Sequence, residues 1–318
     1  MNSPYRVVIT DCDLGPTDHE TRILREALGM DTEVVTAQCR SAADVLAAGR
    51  DADALIVQWA PVPAEVIDQL DRCRVISRYG IGVDMVDLNA AARRGIAVRN
   101  VPHYCTEEVA THAIALALAL WRRLPQLDAS VRHGDWAARA IAGDVPRLSA
   151  ATLGLVGLGR IATIVADVFR AFGTHVIAHD PYAFDPADIT LVDLAELAER
   201  SDIISLHCPL TDETRQIVDA AFLERMRPHA VLVNTARGGL IEVDALAAAL
   251  SVGRLGGAGL DVFETEPLPA DCPLRTTPNT LLGPHAAWCS ADALPELQAE
   301  AALNVVRHLR SLAVAPTA

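Results

Sequence analysis

Three ionisable side chains follow short apolar runs in the last third of this 318-residue chain: Arg237 in NTARGGL, Glu266 in LDVFETEP and His285 in LLGPHAAW. The apolar runs read as strands, and open α/β sheets bind ligands at the carboxyl ends of their strands. Arg237 stands between Ala236 and the pair Gly238-Gly239, which leave backbone clearance. A guanidinium placed there can grip a carboxylate through two parallel hydrogen bonds. His285 follows Pro284 and precedes two alanines, a rigid turn with room around the ring, and Glu266 lies 19 residues upstream with Pro267 behind it. A carboxylate beside an imidazole fixes its tautomer and favours its protonated form, so the pair can give a proton near neutral pH and take it back. Singly, each residue has an ordinary structural reading: a surface ion-pair partner, a solvated loop charge, a satisfied core histidine. Beside a dinucleotide site they read as one catalytic set.

That second site is the stretch 151–174, ATLGLVGLGRIATIVADVFRAFGT, where a strand runs into Gly157-x-Gly159-x-x-Ala162 and then an amphipathic helix. Gly157 permits a tight turn, Gly159 lets the backbone approach a pyrophosphate, and the small Ala162 allows close helix–strand packing, with the helix N-terminus facing the anion. The next strand ends in His179-Asp180, and Asp180 lies 21 residues beyond Gly159, where a carboxylate would accept from the adenosine ribose. The same carboxylate would repel a 2′-phosphate, which selects NAD over NADP. The competing reading of Asp180 is a turn cap before Pro181.

The elements that must position these groups alternate strand and helix. Segments 6–10, 33–36, 54–58, 75–77 and 97–99 read as buried strands, with helices at 19–28, 42–48, 64–70 and 88–94 between them. This pattern predicts a doubly wound parallel sheet. A long helix over 106–121 and a polar stretch around 133–149 follow. Strands then resume at 153–157, 174–178, 203–206, 231–234, 257–260 and 280–282, before a last helix over 294–310. The expected architecture is therefore α/β, with two Rossmann-like doubly wound domains. A discontinuous substrate domain, 1–101 with 290–318, would surround an inserted NAD-binding domain, 102–289.

Composition removes other classes of chemistry. All 27 basic residues are Arg, so Schiff-base chemistry, pyridoxal phosphate attachment, a P-loop lysine and a kinase strand lysine are impossible. A net charge of −14 without any run of four Arg argues against nucleic acid or anionic lipid as a partner. Seven cysteines carry no CxxC pair or Cys/His cluster, which suggests reduced thiols in a cytoplasmic protein and no metal site. The longest apolar run, 113–121, is far below the roughly 20 residues that span a bilayer, and no export signal opens the sequence.

The segments RYGIGVDMVDL (78–88), LGLVGLGRIA (153–162), HDPY (179–182), LVNTARGGLIEVDAL (232–246), GAGLDVFETEPLP (257–269) and GPHAAW (283–288) resemble the D-isomer-specific 2-hydroxyacid dehydrogenases. The resemblance is strongest to the branch of C-terminal-binding proteins, with phosphoglycerate dehydrogenases and hydroxypyruvate reductases nearby. It implies NAD as cofactor and a small 2-oxo or 2-hydroxy acid as substrate. Arg237 would then anchor the carboxylate and polarise the carbonyl, with His285 the general acid/base and Glu266 its partner. Backbone amides at Ile81 and Gly82 would hold the substrate carboxylate, with Arg78 and Trp288 lining the substrate site. Gly159, Arg160 and Ile161 would contact the pyrophosphate; Cys208, Pro209, Thr214, Thr235 and Ala236 would flank the sugars; Asp261, with His285, would approach the nicotinamide. Met85 stands where Asn or His is common, and with Trp288 it suggests an apolar side-chain pocket that fits phosphoglycerate poorly. Thr111 also departs from the family, standing where an acidic residue is frequent. Family habit and the apolar circumference of helix 106–121 imply a homodimer. The rival expectation is an NAD(H)-responsive dimeric interaction module.

Overall fold

The computed structural model describes residues 4–143, 145–183 and 189–314. The chain divides into two units, Met1–Cys105 with Cys289–Ala318, and Thr106–Trp288. In the first unit, the run ALIV has no polar face and forms a strand buried on both sides, and VISR is buried on both sides as well although it carries Ser77 and Arg78. Strands β1 (Arg6–Ile9), β2 (Glu33–Thr36), β3 (Ala54–Val57), β4 (Val75–Arg78) and β5 (Ala97–Arg99) pair in parallel in the order β2-β1-β3-β4-β5. The terminal helix Ala293–Val314 packs against helix Asp18–Leu28 and β4. Ser77 Oγ on β4 donates to the Ala301 carbonyl at 2.8 Å, and Asn304 Nδ2 to that of Asn100 at 3.0 Å.

The second unit holds β6 (Thr152–Val156), β7 (His175–His179), β8 (Thr190–Leu191), β9 (Ile203–Leu206), β10 (Val231–Asn234), β11 (Gly257–Leu260) and β12 (Thr280–Leu282). All pair in parallel in the order β12-β11-β10-β9-β6-β7-β8, so the strand order reverses between β6 and β9. Both sheets are α/β and doubly wound, as the sequence predicts. Helix Thr106–Trp121 lies on β10 and β11 and against helix Arg160–Ala171. Two glycines in β11 permit this. A Cβ on Gly257 would come to 3.0 Å of Leu120 Cδ2, and one on Gly259 to 3.0 Å of Leu116 Cβ.

Four elements differ from the sequence expectation. Helices Leu124–Arg132 and Ala138–Ala142 form without burying a single residue, so no apolar periodicity announces them. Strand β8 has two residues, too few for a side-chain alternation to register. Helix Ala64–Ile67 is one turn long, shorter than the 64–70 expected.

Candidate active site

Strands β10, β11 and β12 are neighbours, and the loops leaving their carboxyl ends carry Arg237, Glu266 and His285. Asn234 shapes the first loop: its Nδ2 donates to the Arg237 carbonyl at 2.8 Å and its Oδ1 accepts from the Ala236 amide at 3.0 Å. Gly238 brings the first loop against the second. A Cβ there would come to 1.9 Å of the Phe263 carbonyl carbon and 2.2 Å of the Glu264 nitrogen, so only glycine allows the approach. In the second loop the Phe263 amide donates to Glu266 Oε1 at 2.8 Å, while Glu266 Oε2 accepts from His285 Nδ1 at 2.7 Å. An ionised carboxylate only accepts, so this contact assigns a proton to Nδ1 and leaves proton exchange to Nε2.

His285 sits at φ 56°, a left-handed conformation that is uncommon for a residue with a Cβ. The wholly buried Asp261 holds it there. The His285 amide donates to the Asp261 carbonyl at 2.8 Å, and the amides of Ala286 and Ala287 donate to its carboxylate oxygens at 3.0 and 2.7 Å. His112 Nε2 stands 3.6 Å from the same carboxylate. Asp261, expected near the nicotinamide, therefore also clamps the turn that carries the imidazole. Sequence reasoning missed this clamp, His112 and the Asn234 brace. The one available signal was Gly283, where a Cβ would come to 2.2 Å of Asp261 Oδ1.

Burial raises the Glu266 carboxyl, but the His285 hydrogen bond and charge, the Phe263 amide and the Arg237 charge outweigh it and leave the group below its ordinary value of 4.5. Glu266 thus loses its proton more readily in the folded chain than in the unfolded one, and its ionisation favours the fold. That contribution is complete above pH 4.5 and disappears as pH falls through the lower folded value. Glu266→Gln should accordingly be less stable than the parent at neutral pH and match it in acid, as read by thermal melts across pH. A gap that widens in acid contradicts the assignment.

At the reversal of strand order, Gly157 has φ 90°, and a Cβ would meet the Cys208 nitrogen at 2.7 Å and the His207 carbonyl carbon at 2.8 Å. The two loops touch backbone to backbone, so the glycine is a steric requirement. Gly159 caps helix Arg160–Ala171 without a side-chain cap, and a Cβ on it would meet nothing within 4 Å. Arg160 is exposed, Ile161 half-buried and Ala162 fully buried in the first turn. Asp180 Oδ2 accepts from the Leu158 amide at 2.8 Å and Oδ1 from the Tyr182 amide at 2.9 Å. The turn-cap reading therefore holds, and each oxygen keeps a second lone pair for a ribose hydroxyl. Thr214 Oγ1 donates to the Pro209 carbonyl at 2.7 Å, stapling the turn after Cys208. Burial pushes the Cys208 thiol up to about 11, and desolvation brings the His207 imidazole down to about 4. Both stay uncharged at neutral pH. Thr235 Oγ1, beside Ala236, is a buried oxygen without a partner among the described residues.

The remaining candidates belong to the first unit, apart from Trp288, which is half-buried three residues beyond His285. Arg78 ends β4, is 6% exposed, and sets its guanidinium carbon 5.4 Å from the Trp59 ring centroid. Asn100 Nδ2 donates to the Ile81 carbonyl at 2.7 Å, fixing the loop that continues through Gly82. Met85 is partly buried and packs against the core of this unit.

A doubly wound unit with a glycine turn at its strand reversal and a Glu–His pair beside an arginine has direct counterparts among known proteins. The chain belongs to the D-isomer-specific 2-hydroxyacid dehydrogenase family, whose NAD-binding domain matches residues 114–287. It is 40% identical over 273 residues to the D-3-phosphoglycerate dehydrogenase of Mycobacterium tuberculosis, covering 84% of this chain and 51% of that protein. It therefore spans about half the length of the phosphoglycerate dehydrogenases it matches. A glyoxylate reductase of Korarchaeum cryptofilum is 38% identical over 271 residues, with 82% of this chain and 81% of that one covered. The structure of a D-lactate dehydrogenase from Aquifex aeolicus with NAD and lactic acid superposes with a TM-score of 0.83 at 27% identity, covering 96% of each chain.

Proposed function

We propose that this protein is an NAD-dependent D-2-hydroxyacid dehydrogenase acting on a small 2-oxo or 2-hydroxy acid. The observation that carries this reading is the 2.7 Å contact between Glu266 and His285 on the strand ends beside Arg237. When bound, the nicotinamide supplies or accepts the hydride. Arg237 grips the substrate carboxylate and polarises the 2-oxo group, while Glu266 holds His285 in the tautomer whose Nε2 gives the proton to the developing alkoxide. In the oxidative direction the same nitrogen takes the proton back. The residues fit a dinucleotide: open space over Gly159, an uncapped helix start for the pyrophosphate and Asp180 for the ribose. By the family resemblance we assign Arg160, Ile161, Cys208, Pro209, Thr214, Thr235, Ala236 and Asp261 to dinucleotide contacts, and Arg78, Ile81, Gly82 and Trp288 to substrate contacts.

The test is reduced-nicotinamide absorbance with NADH and NADPH against glyoxylate, hydroxypyruvate, pyruvate, 3-phosphohydroxypyruvate and 4-methylthio-2-oxobutanoate. Turnover that prefers NADH is expected. Binding of NADH with no turnover on any acid would favour the interaction-module reading.

We further infer a cytoplasmic homodimer. The free thiols suit the compartment. Helix Leu124–Arg132 buries nothing, and Leu124, Val131 and Trp136, on and just after it, are 53%, 56% and 91% exposed, large apolar groups that a second copy would cover. Light scattering should give twice the 33.9 kDa chain mass, and Trp136→Glu should shift the population to monomer. A parent protein that runs as a monomer overturns this.

A further inference from the structure

In the first unit, the strand end that carries Arg78 is braced by a hydrogen bond that no step of the proposed reaction uses. The Tyr79 hydroxyl donates to Glu20 Oε1 at 2.6 Å, joining the first residue after β4 to helix Asp18–Leu28. Tyr79 is 1% exposed and Glu20 is fully buried. The second carboxyl oxygen, Glu20 Oε2, has no hydrogen-bond partner among the described residues. A carboxyl in this setting costs free energy that an apolar residue would avoid, so packing alone does not explain it. Burial, with the adjacent Glu20 charge and hydrogen bond, pushes the Tyr79 hydroxyl far above its ordinary value, so it remains the donor throughout the working pH range.

Tyr79 stands between Arg78 and Gly80 in the loop that leaves β4. On one side is Arg78, its guanidinium over the Trp59 ring. The Trp59 backbone is itself pinned. The buried Asp11 accepts from the amides of Gln58, Trp59 and Ala60 at 3.0, 2.5 and 2.9 Å. On the other side is Gly80, at φ 123°, where a Cβ would come to 1.7 Å of Arg78 Nη1. The guanidinium thus folds back over its own loop, with the Tyr79 side chain held on Glu20 between the two.

We propose that Glu20, acting through Tyr79, is a positioning residue for the substrate-carboxylate loop: it fixes the backbone that presents Arg78 and the Ile81 and Gly82 amides to the oxo acid. This rests on the substrate-binding reading of those three residues. The hydrogen bond contributes to KM and leaves the proton transfer at His285 untouched.

The experiment compares Tyr79→Phe, Glu20→Leu and Glu20→Gln with the parent. It measures kcat, KM for the best oxo acid, the dissociation constants of NADH and of oxamate with NADH present, and Tm. Tyr79→Phe and Glu20→Leu should raise KM and the oxamate constant about tenfold, with kcat within about twofold and NADH binding unchanged. Glu20→Gln keeps an acceptor oxygen for Tyr79 and should restore KM to within about threefold of the parent. A KM for Tyr79→Phe within about twofold of the parent overturns the proposal, as does Glu20→Gln behaving like Glu20→Leu, or a loss of Tm with KM unmoved. Should Glu20→Leu fail to fold, Tyr79→Phe carries the comparison. A parent that neither reduces an oxo acid nor binds oxamate removes the substrate reading itself, and this proposal with it. That outcome is distinct from a failure confined to the variants.

Discussion

His285→Ala is expected to keep measurable NADH binding while its kcat falls by about 10²–10⁴, the usual worth of a positioned general acid. The selectivity of this loss follows from the geometry. Glu266 contacts Nδ1 of the ring, and the turn is built from backbone amides on Asp261, so alanine removes the acid and leaves the turn standing. The glycine turn, Asp180 and the helix start that would hold the dinucleotide do not rest on the imidazole. Stopped-flow or steady-state absorbance gives kcat, and NADH fluorescence gives the dissociation constant. Equal activity in the two proteins would end the assignment of His285 as proton donor.

Arg237→Gln should do comparable damage through a different parameter. The guanidinium is asked both to anchor the carboxylate and to polarise the carbonyl, and loss of a single donor to a developing oxyanion already costs about 10²–10³. kcat/KM should therefore fall by about 10³ or more, with KM rising alongside the drop in kcat. Arg237→Lys should recover little, since an ammonium cannot make the two parallel bonds. The loop itself should survive, because Asn234 holds the Arg237 carbonyl and the Ala236 amide independently of the guanidinium. A Gln variant with unchanged KM would place the substrate carboxylate elsewhere.

The residues that announced this site in the sequence are those whose chemistry resides in the side chain. Arg237 between small residues, the Glu266–His285 spacing and the Gly157-x-Gly159 turn are visible because few other roles suit those types there. Strands such as β3 and β10 were equally plain, since ALIV and the VLV of VLVN are wholly apolar. What stayed hidden is carried by the backbone or by steric contact. A carboxylate at 261 that accepts amides at 286 and 287 leaves no pattern in composition. Gly238, Gly257 and Gly259 are glycines because a neighbouring loop or helix passes too close for a Cβ, which shows only when both partners are in place. Helix Leu124–Arg132 lacked a buried face from which to be read. The Glu20–Tyr79 bond joins residues 59 positions apart, and Glu20 looked like any exposed acid in the first turn of a helix.

Deuteride transfer tests the central claim most directly. NADH carrying deuterium at both C4 positions of the nicotinamide is incubated with the best oxo acid, and the product is analysed for label at C2 and for configuration. The expected product is the D-2-hydroxy acid with deuterium on C2, formed by the parent and lost in His285→Ala. An unlabelled or racemic product, or labelled product formed equally well without the imidazole, would contradict it.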